Sequence, residues 1–387
     1  MEPIPILKDK RIVLGITGGI SAYKVCTVAS RLTQAGAQVD VVMTEAATRF
    51  VAPLTFEALT GRPAYTSMWE TGGEALPTHI AHVGLAHAAD LVMIAPTTAN
   101  TMAKLAHGLA DDLLSTLSLA ARCPILLVPA MDVGMWSNPA TQANIDLLRE
   151  RGLHFAGPAH GRMASGLEGE GRMIEPNEIL GHVRWVFGRN GAVAGRRVVV
   201  TAGPTREPID PVRFLSNPSS GRQGFALAQA AIDRGAEVTL ITGPVALPAP
   251  VGVERIDVTT AEEMHQAAVA ACAGADVLLM AAAVADYRPA ETATEKIKKG
   301  EGVRTLRLGR TPDVLAAVAA QRAEISSPGV VVGFAAESQD LVANARAKLE
   351  AKNLDLIVAN DITARDAGFG SETNRVVLLD REGGAEE

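Results

Sequence analysis

Short apolar runs alternate with longer amphipathic stretches along this chain. Residues 11–16 (RIVLGI), 38–43 (QVDVVM), 91–95 (LVMIA) and 125–128 (ILLV) are rich in Val, Ile and Leu. Runs of this length and composition predict buried strands. Residues 21–34, 98–106, 111–120 and 138–151 predict helices, and the first of these stops at Gly36. Strand and helix in turn imply a doubly wound parallel sheet with right-handed crossovers. The pattern fades over residues 188–195 (GRNGAVAG), which are small and without period, and then restarts. Residues 197–201 (RVVVT) predict a new first strand, 225–234 a helix, and 237–241, 276–280, 330–334 and 355–358 further strands. The expected architecture is therefore α/β, with two doubly wound, Rossmann-like domains of mainly parallel sheet, residues 1–188 and 189–387. The openings LGITGGI and VVVTAGP share a fold signal and are only weak support for duplication.

Composition sharpens this. The chain has 387 residues, 48% hydrophobic but only 4% aromatic, so Val, Leu, Ile and small residues carry the packing, which suits parallel sheets under Ala-rich helices. A formal charge of −7 gives no electrostatic basis for a nucleic-acid partner. Cys26, Cys123 and Cys272 show no CxxC spacing, which argues against a disulfide framework or a structural zinc. The N-terminus lacks a signal core, and the longest apolar runs, such as residues 277–285, are far short of a membrane span. These features predict a cytoplasmic protein acting on small molecules, with no membrane partner.

Candidate chemistry begins at the turn after the first strand. Gly18, Gly19 and Ile20 lead into a helix whose N-terminal N–H groups and dipole suit a phosphate, although the spacing is not the GxGxxG fingerprint. Thr44 closes the second strand, and Pro96, Thr97 and Thr98 follow the strand at 91–95. Three such loops on the carboxyl edge of one sheet favour a mononucleotide site.

GITGGISAYK, APTTANTMAKLAHGLADDLLST, PAMDVGMW and GEGRM resemble the flavoprotein domain of the bifunctional coenzyme A biosynthesis enzymes, over residues 10–180. The resemblance implies a homo-oligomeric, flavodoxin-like domain that binds FMN through these loops and through Ser115. It also implies decarboxylation of 4′-phosphopantothenoyl-L-cysteine to 4′-phosphopantetheine by transient oxidation of the cysteinyl end and re-reduction. The family's active-site histidine falls at His82, a base suited to neutral pH, with His79 its nearest rival. Two positions depart from the family. Asp132 stands where its motif has Asn: an ionised carboxylate only accepts hydrogen bonds, so Asp132 would face a substrate N–H or be held protonated. Ser165 stands where the family often has a proton-donating cysteine, and a hydroxyl is a far weaker acid.

In the second half Gly203 follows the first strand, and Ser219, Gly221 and Gly224 open a helix, an arrangement suited to a polyphosphate although no Walker A lysine is present. TAGPTREPIDPVRFLSNPSSG, AAAVADYRP, EKIKK and GFAAES resemble the ligase domain of the same family, from about residue 196 to 380. By that resemblance CTP and Mg2+ activate the carboxylate of 4′-phosphopantothenate as an acyl-cytidylate, which the amine of L-cysteine then opens. Asn217 would orient the acyl intermediate with Arg213 beside it, and Lys296 would meet the triphosphate. Ala282, Ala283, Asp286, Pro312, Asp313, Val314, Leu315, Phe334, Lys348 and Lys352 match the family's nucleotide contacts, and the two last lysines, four residues apart, share a helix face. The metal ligands are not specified. The family further implies trimeric flavin domains and dimeric ligase domains, a pairing that a dodecamer would satisfy. Residues 381–387 (REGGAEE) read as a polar tail where the family has a helix. Other flavin enzymes of the same fold, such as cysteine decarboxylases or prenyltransferases, and flavin-binding regulatory subunits are disfavoured by the ligase motifs and by the lack of an acidic extension.

Overall fold

Each apolar run singled out above becomes a strand in the computed structural model, which describes residues 3–69, 78, 80–299, 303–337, 340–361 and 375–386. The chain divides into two compact units, Met1–Phe187 and Gly188–Glu387.

In the first unit β1 (Arg11–Ile16), β2 (Gln38–Met43), β3 (Ala64–Tyr65), β4 (Leu91–Thr97), β5 (Ile125–Pro129) and β6 (His154–Phe155) form one parallel sheet in the order 3-2-1-4-5-6. This is the Rossmann order; the flavodoxin-like character lies in the layering and in the use of the sheet's carboxyl edge. Around the sheet run α1 (Ala22–Gln34), α2 (Glu45–Thr48), α3 (Pro53–Thr60), α4 (Ala81–Ala88), α5 (Ala99–His107), α6 (Leu113–Ala120), α7 (Val133–Trp136), α8 (Pro139–Glu150) and α9 (Pro176–Gly188). Strand pleating sends alternate residues to opposite faces. Ile12, Leu14 and Ile16 join one core with Val25, Val28 and Leu32 of α1, whereas Val13 joins a second with Leu85, Met102 and Leu114. A sheet covered on both faces explains why its strands read as unbroken apolar runs. A hairpin of β7 (Ala159–Arg162) and β8 (Glu168–Arg172) stands apart from the sheet. Its glycine-rich, charged sequence gave no strand signal.

The second unit repeats the plan. Its sheet holds β9 (Arg197–Ala202), β12 (Glu237–Thr242), β13 (Val253–Asp257), β14 (Val277–Met280), β17 (Val330–Glu337), β18 (Leu356–Asp361), β19 (Val376–Asp380) and β20 (Ala385–Glu386), in the order 13-12-9-14-17-18-19-20. The last two are antiparallel additions. Two small ribbons, β10 (Arg206–Pro208) with β11 (Phe214–Ser216) and β15 (Tyr287–Pro289) with β16 (Leu308–Arg310), stand outside it. Helices α10 (Arg222–Ile232), α11 (Ala261–Cys272), α12 (Val314–Ile325) and α13 (Leu341–Ala351) complete it. The tail reading needs correction. Residues after Asp380 turn back, and Ala385–Glu386 pair with Leu379 and Leu378. The turn is closed by Asp380 Oδ1, which accepts the N–H groups of Glu382 and Gly384 at 2.9 and 2.8 Å. Among the described residues no helix is long and apolar enough to cross a membrane.

Candidate active sites

The first unit has a cavity of about 700 Å³ lined by Gly18, Gly19, Ile20, Thr98, Asp132 and Ser165, with Tyr23, Lys24, Met131, Met135, Arg162, Met163 and Arg172 around them. It opens where the loops after β1 and β4 diverge, the switch point at which ligands bind in open α/β sheets. Thr17, 1% exposed, holds these loops together: its Oγ1 donates to Pro96 O at 2.6 Å and accepts Thr98 N–H at 3.2 Å. A Cβ on Gly19 would meet only Pro96 and Thr98, at 3.8 and 4.0 Å, so the glycine keeps space between these loops open. This is a fit for a phosphate-bearing cofactor such as FMN, laid at the N-terminus of α1.

The other cofactor candidates do not border this cavity. Thr44 Oγ1 caps α2 by accepting Ala47 N–H at 3.3 Å. Thr97 Oγ1 is buried, donating to Ile94 O at 2.6 Å and accepting Val128 N–H at 3.1 Å. Ser115 is 1% exposed and shares a reciprocal cap with Asp112 at the start of α6.

The two substituted positions meet. Ser165 Oγ donates to Asp132 Oδ2 at 2.6 Å, while Asp132 Oδ1 accepts Gly134 N–H at 3.1 Å and caps α7. The Ser165 hydroxyl, then the Gly134 N–H, hold the Asp132 carboxyl below the ordinary carboxylate range. These contacts favour the ionised form of Asp132, and its partner is a side chain of the same unit. The pair also ties the β7–β8 hairpin to α7, beside Met131 N–H to Gly171 O at 2.9 Å and Trp136 Nε1 to Glu170 at 3.2 Å. Gly171 is obligatory for this contact, since a Cβ there would lie 2.4 Å from Met131 O. Sequence reasoning missed Lys24, Arg162 and Arg172 at the rim. Lys24 and Arg172 share Glu175, at 2.9 and 2.5 Å. The signal for Lys24 and Arg172 was present in GISAYK and GEGRM, but nothing local says that these motifs meet.

His82, half-buried on α4, does not line the cavity, and its Nδ1 is buried with no hydrogen-bond partner among the described residues. His79 lies outside the described residues.

In the second unit a cavity of about 530 Å³ gathers Ala282, Asp286, Pro312, Asp313, Val314, Leu315, Phe334, Lys348 and Lys352 at the carboxyl ends of β14 and β17, together with Arg310 and Thr311. Lys348 Nζ donates to Phe334 O at 2.9 Å, and Lys352 pairs with Asp313. Asp313 caps α12 by accepting Ala316 N–H at 3.0 Å. Burial works against ionisation of Asp313, but Lys352 and the cap N–H outweigh it, and its pKa is lowered.

The remaining candidates do not border this cavity. Ala283 N–H donates to Gly203 O at 2.9 Å, and Asn217 Nδ2 donates to Val284 O at 3.1 Å, so both loops are laced to residues 282–286. Ser219 Oγ accepts Gly221 N–H at 3.3 Å. Gly224 seats α10 on β9: a Cβ there would lie 2.5 Å from Ala202 Cβ. Arg213 binds Asp210, and Lys296 is exposed. Among the described residues no three His, Cys, Asp or Glu side chains form a metal cage.

The Flavoprotein family model matches residues 6–187, and the model of the DNA/pantothenate metabolism flavoprotein C-terminal domain matches residues 193–387. The chain is 46% identical to the coenzyme A biosynthesis bifunctional protein CoaBC of Bacillus subtilis, covering 98% of this chain and 92% of that one. It is 47% identical to the CoaBC proteins of Vibrio cholerae and Mycobacterium tuberculosis, covering 97% of this chain and 93% and 91% of theirs. A crystal structure of the C-terminal domain of a CoaBC protein is 38% identical, covers 51% of this chain and 87% of that one, and gives a TM-score of 0.42. The chain therefore belongs to the family of coenzyme A biosynthesis bifunctional proteins, as a flavoprotein unit followed by a pantothenate-metabolism unit.

Proposed function

We propose that the second unit joins 4′-phosphopantothenate to L-cysteine at the expense of CTP, and that the first unit decarboxylates the product, 4′-phosphopantothenoyl-L-cysteine, to 4′-phosphopantetheine with FMN. The observation that carries the ligase reading is the convergence of residues 282–286, 312–315, Phe334, Lys348 and Lys352 on one cavity. In the first step a carboxylate oxygen of 4′-phosphopantothenate attacks the α-phosphorus of CTP and pyrophosphate leaves. In the second the cysteine amine attacks the acyl carbon, CMP leaves and the amine loses a proton. Lys296, Lys348 and Lys352 supply positive charge where negative charge accumulates. Asn217, held on Val284 O, faces the acyl group, with Arg213 near it. Mg2+ enters with the triphosphate, as is usual for this ion, rather than in a cage of side chains.

In the first unit FMN supplies a two-electron sink when bound. Gly18, Gly19, Ile20 and Thr98 would hold its phosphate end, with Thr44, Pro96, Thr97 and Ser115 shaping the loops behind them. Arg162 and the Lys24–Glu175–Arg172 cluster would orient a phosphorylated, anionic substrate. Asp132 would accept a substrate N–H, and His82 would take a proton. Since His82 and Asp132 border different parts of one chain, the reading includes a homo-oligomer, trimeric through the flavin units and dimeric through the ligase units, in which a neighbouring copy completes the site. A cytoplasmic setting accords with three unpaired cysteines.

The test is spectral and chemical. The purified protein should be yellow and should release CMP only when CTP, 4′-phosphopantothenate and cysteine are all present. Equal turnover with ATP would overturn the pyrimidine assignment, and a colourless, inactive protein would sink both halves.

A further inference from the structure

One buried carboxylate outside both cavities joins the segments on which the ligase reading depends. Asp210 is 3% exposed and lies in the turn between β10 and β11. Its Oδ1 accepts the backbone N–H groups of Val212 and Arg213 at 2.9 and 2.8 Å. Its Oδ2 accepts Arg213 Nε at 3.0 Å and the backbone N–H of Ile297 at 3.1 Å. Arg213 Nη2 also reaches Asp210, and it donates to Ile297 O at 2.8 Å. Both backbone polar groups of Ile297 are thus held by the turn, across 84 and 87 positions of sequence. The Arg213 guanidinium, reinforced by these N–H groups, keeps the Asp210 carboxyl well below the ordinary carboxylate range.

The residue before Ile297 is Lys296, in a segment with neither helix nor strand. A lysine on an unanchored loop must lose backbone freedom when it grips a ligand. Anchoring the adjacent residue lowers that cost before the ligand arrives.

We propose that Asp210 is a positioning residue for ligation: it fixes the backbone that carries Lys296 against the turn that carries Arg213 and Asn217. The proposal rests on the reading of Lys296 as the lysine that meets the triphosphate.

Asp210→Asn separates the two roles of the carboxylate. The amide oxygen still accepts the turn N–H groups, but the amide N–H2 then faces Arg213 and Ile297 N–H, and the lysine segment is released. The experiment uses full-length protein loaded with FMN and measures pyrophosphate release from CTP and 4′-phosphopantothenate in the presence of Mg2+. Release should fall about ten- to a hundredfold, the scale of an ångström-sized misplacement. Flavin content and decarboxylation of 4′-phosphopantothenoyl-L-cysteine should not change. In a Lys296→Ala background the same substitution should cost less than about twofold, because residues acting through one another are not additive. Full multiplication of the two effects, or wild-type release by Asp210→Asn, overturns the proposal. Wild-type release by Lys296→Ala alone sinks the reading of Lys296 and the proposal with it. If Asp210→Asn unfolds the second unit, Asp210→Glu decides: it keeps the charge, but its longer side chain displaces the carboxylate from the turn N–H groups and Ile297 N–H, and it should lower release similarly while the unit's melting is retained. Unimpaired release by that variant overturns the proposal.

Discussion

At the scale of single residues, Asp132 and Ser165 explain each other. Taken singly, an acid in place of Asn and a hydroxyl in place of a thiol both look unfavourable for decarboxylation. Joined at 2.6 Å, they form an acceptor and its donor, and the serine proton points to the carboxylate rather than toward a substrate. On the proposed reading the acid of the final step would then come from elsewhere than Ser165. Wild-type protein should still turn over fully to 4′-phosphopantetheine, as followed by product mass, and accumulation of an enethiol instead would show that the proton is not delivered. Asp132→Asn should keep decarboxylase activity within a few-fold, since an amide oxygen can cap Gly134 and the amide N–H2 can donate to Ser165 Oγ. Asp132→Ala should lose about tenfold, because it frees the hairpin that covers the site. The pH dependence has a definite sign. A carboxyl whose folded pKa is lowered contributes above its ordinary value, about 4, and loses that contribution only as pH falls through the lowered one. For Asp132 the tie is complete across the neutral range, so a break in the decarboxylase profile near pH 6–7 would not belong to this carboxyl.

At the scale of elements, both units use the same clasp. Thr17 follows β1 directly and accepts Thr98 N–H, 81 residues on; Thr201, within β9, accepts Ala282 N–H, also 81 residues on. Asp90 and Asp276, each preceding the next strand of the sheet, accept the N–H of the first residue of β1 and β9 at 2.8 Å. The common openings seen in the sequence are thus accompanied by a common way of tying the first strand to its neighbour. Thr17→Val should leave two buried backbone groups unsatisfied, lower stability of the first unit by about 1–3 kcal/mol and weaken flavin retention, as read by denaturant titration of bound flavin. Asp40 presents a second case. Pleating places it on the face of Val42, where Arg11 Nε and Arg62 Nε meet it at 2.6 and 2.7 Å and leave it 1% exposed. Asp40→Ala would strand two guanidinium groups and should cost about 3 kcal/mol in a urea melt of the first unit. The run QVDVVM declares a strand, but it cannot say that its charge is buried, because both partners come from other elements.

At the scale of the whole molecule, the prediction that follows from His82 is complementation. A preparation co-expressing His82→Asn and Asp132→Ala chains should exceed the decarboxylase activity of either parent if a neighbouring copy completes the site; mixed oligomers no more active than the average of their parents would place all the chemistry within one chain. The cysteines give a simpler check. Burial pushes Cys272 up to about 12 and raises Cys26 and Cys123 as well, so native protein should react slowly with iodoacetamide at pH 8 and denatured protein quickly, at three sites per chain. What the sequence determined by itself was the alternation of strands and helices and the two-family resemblance, because strands buried on both faces are written as continuous Val, Ile and Leu, and phosphate loops as glycine-rich turns. The hairpins and the final β20 escaped it, since their pairing is made by backbone groups and their short runs carry no apolar alternation. Only the tertiary structure could decide what the motifs touch: that Ser165 finds Asp132, that Arg213 turns to Asp210 and Ile297, and that Ser115 serves a helix cap. Those partners lie up to 84 residues away along the chain, where no local pattern of apolar and polar positions can point.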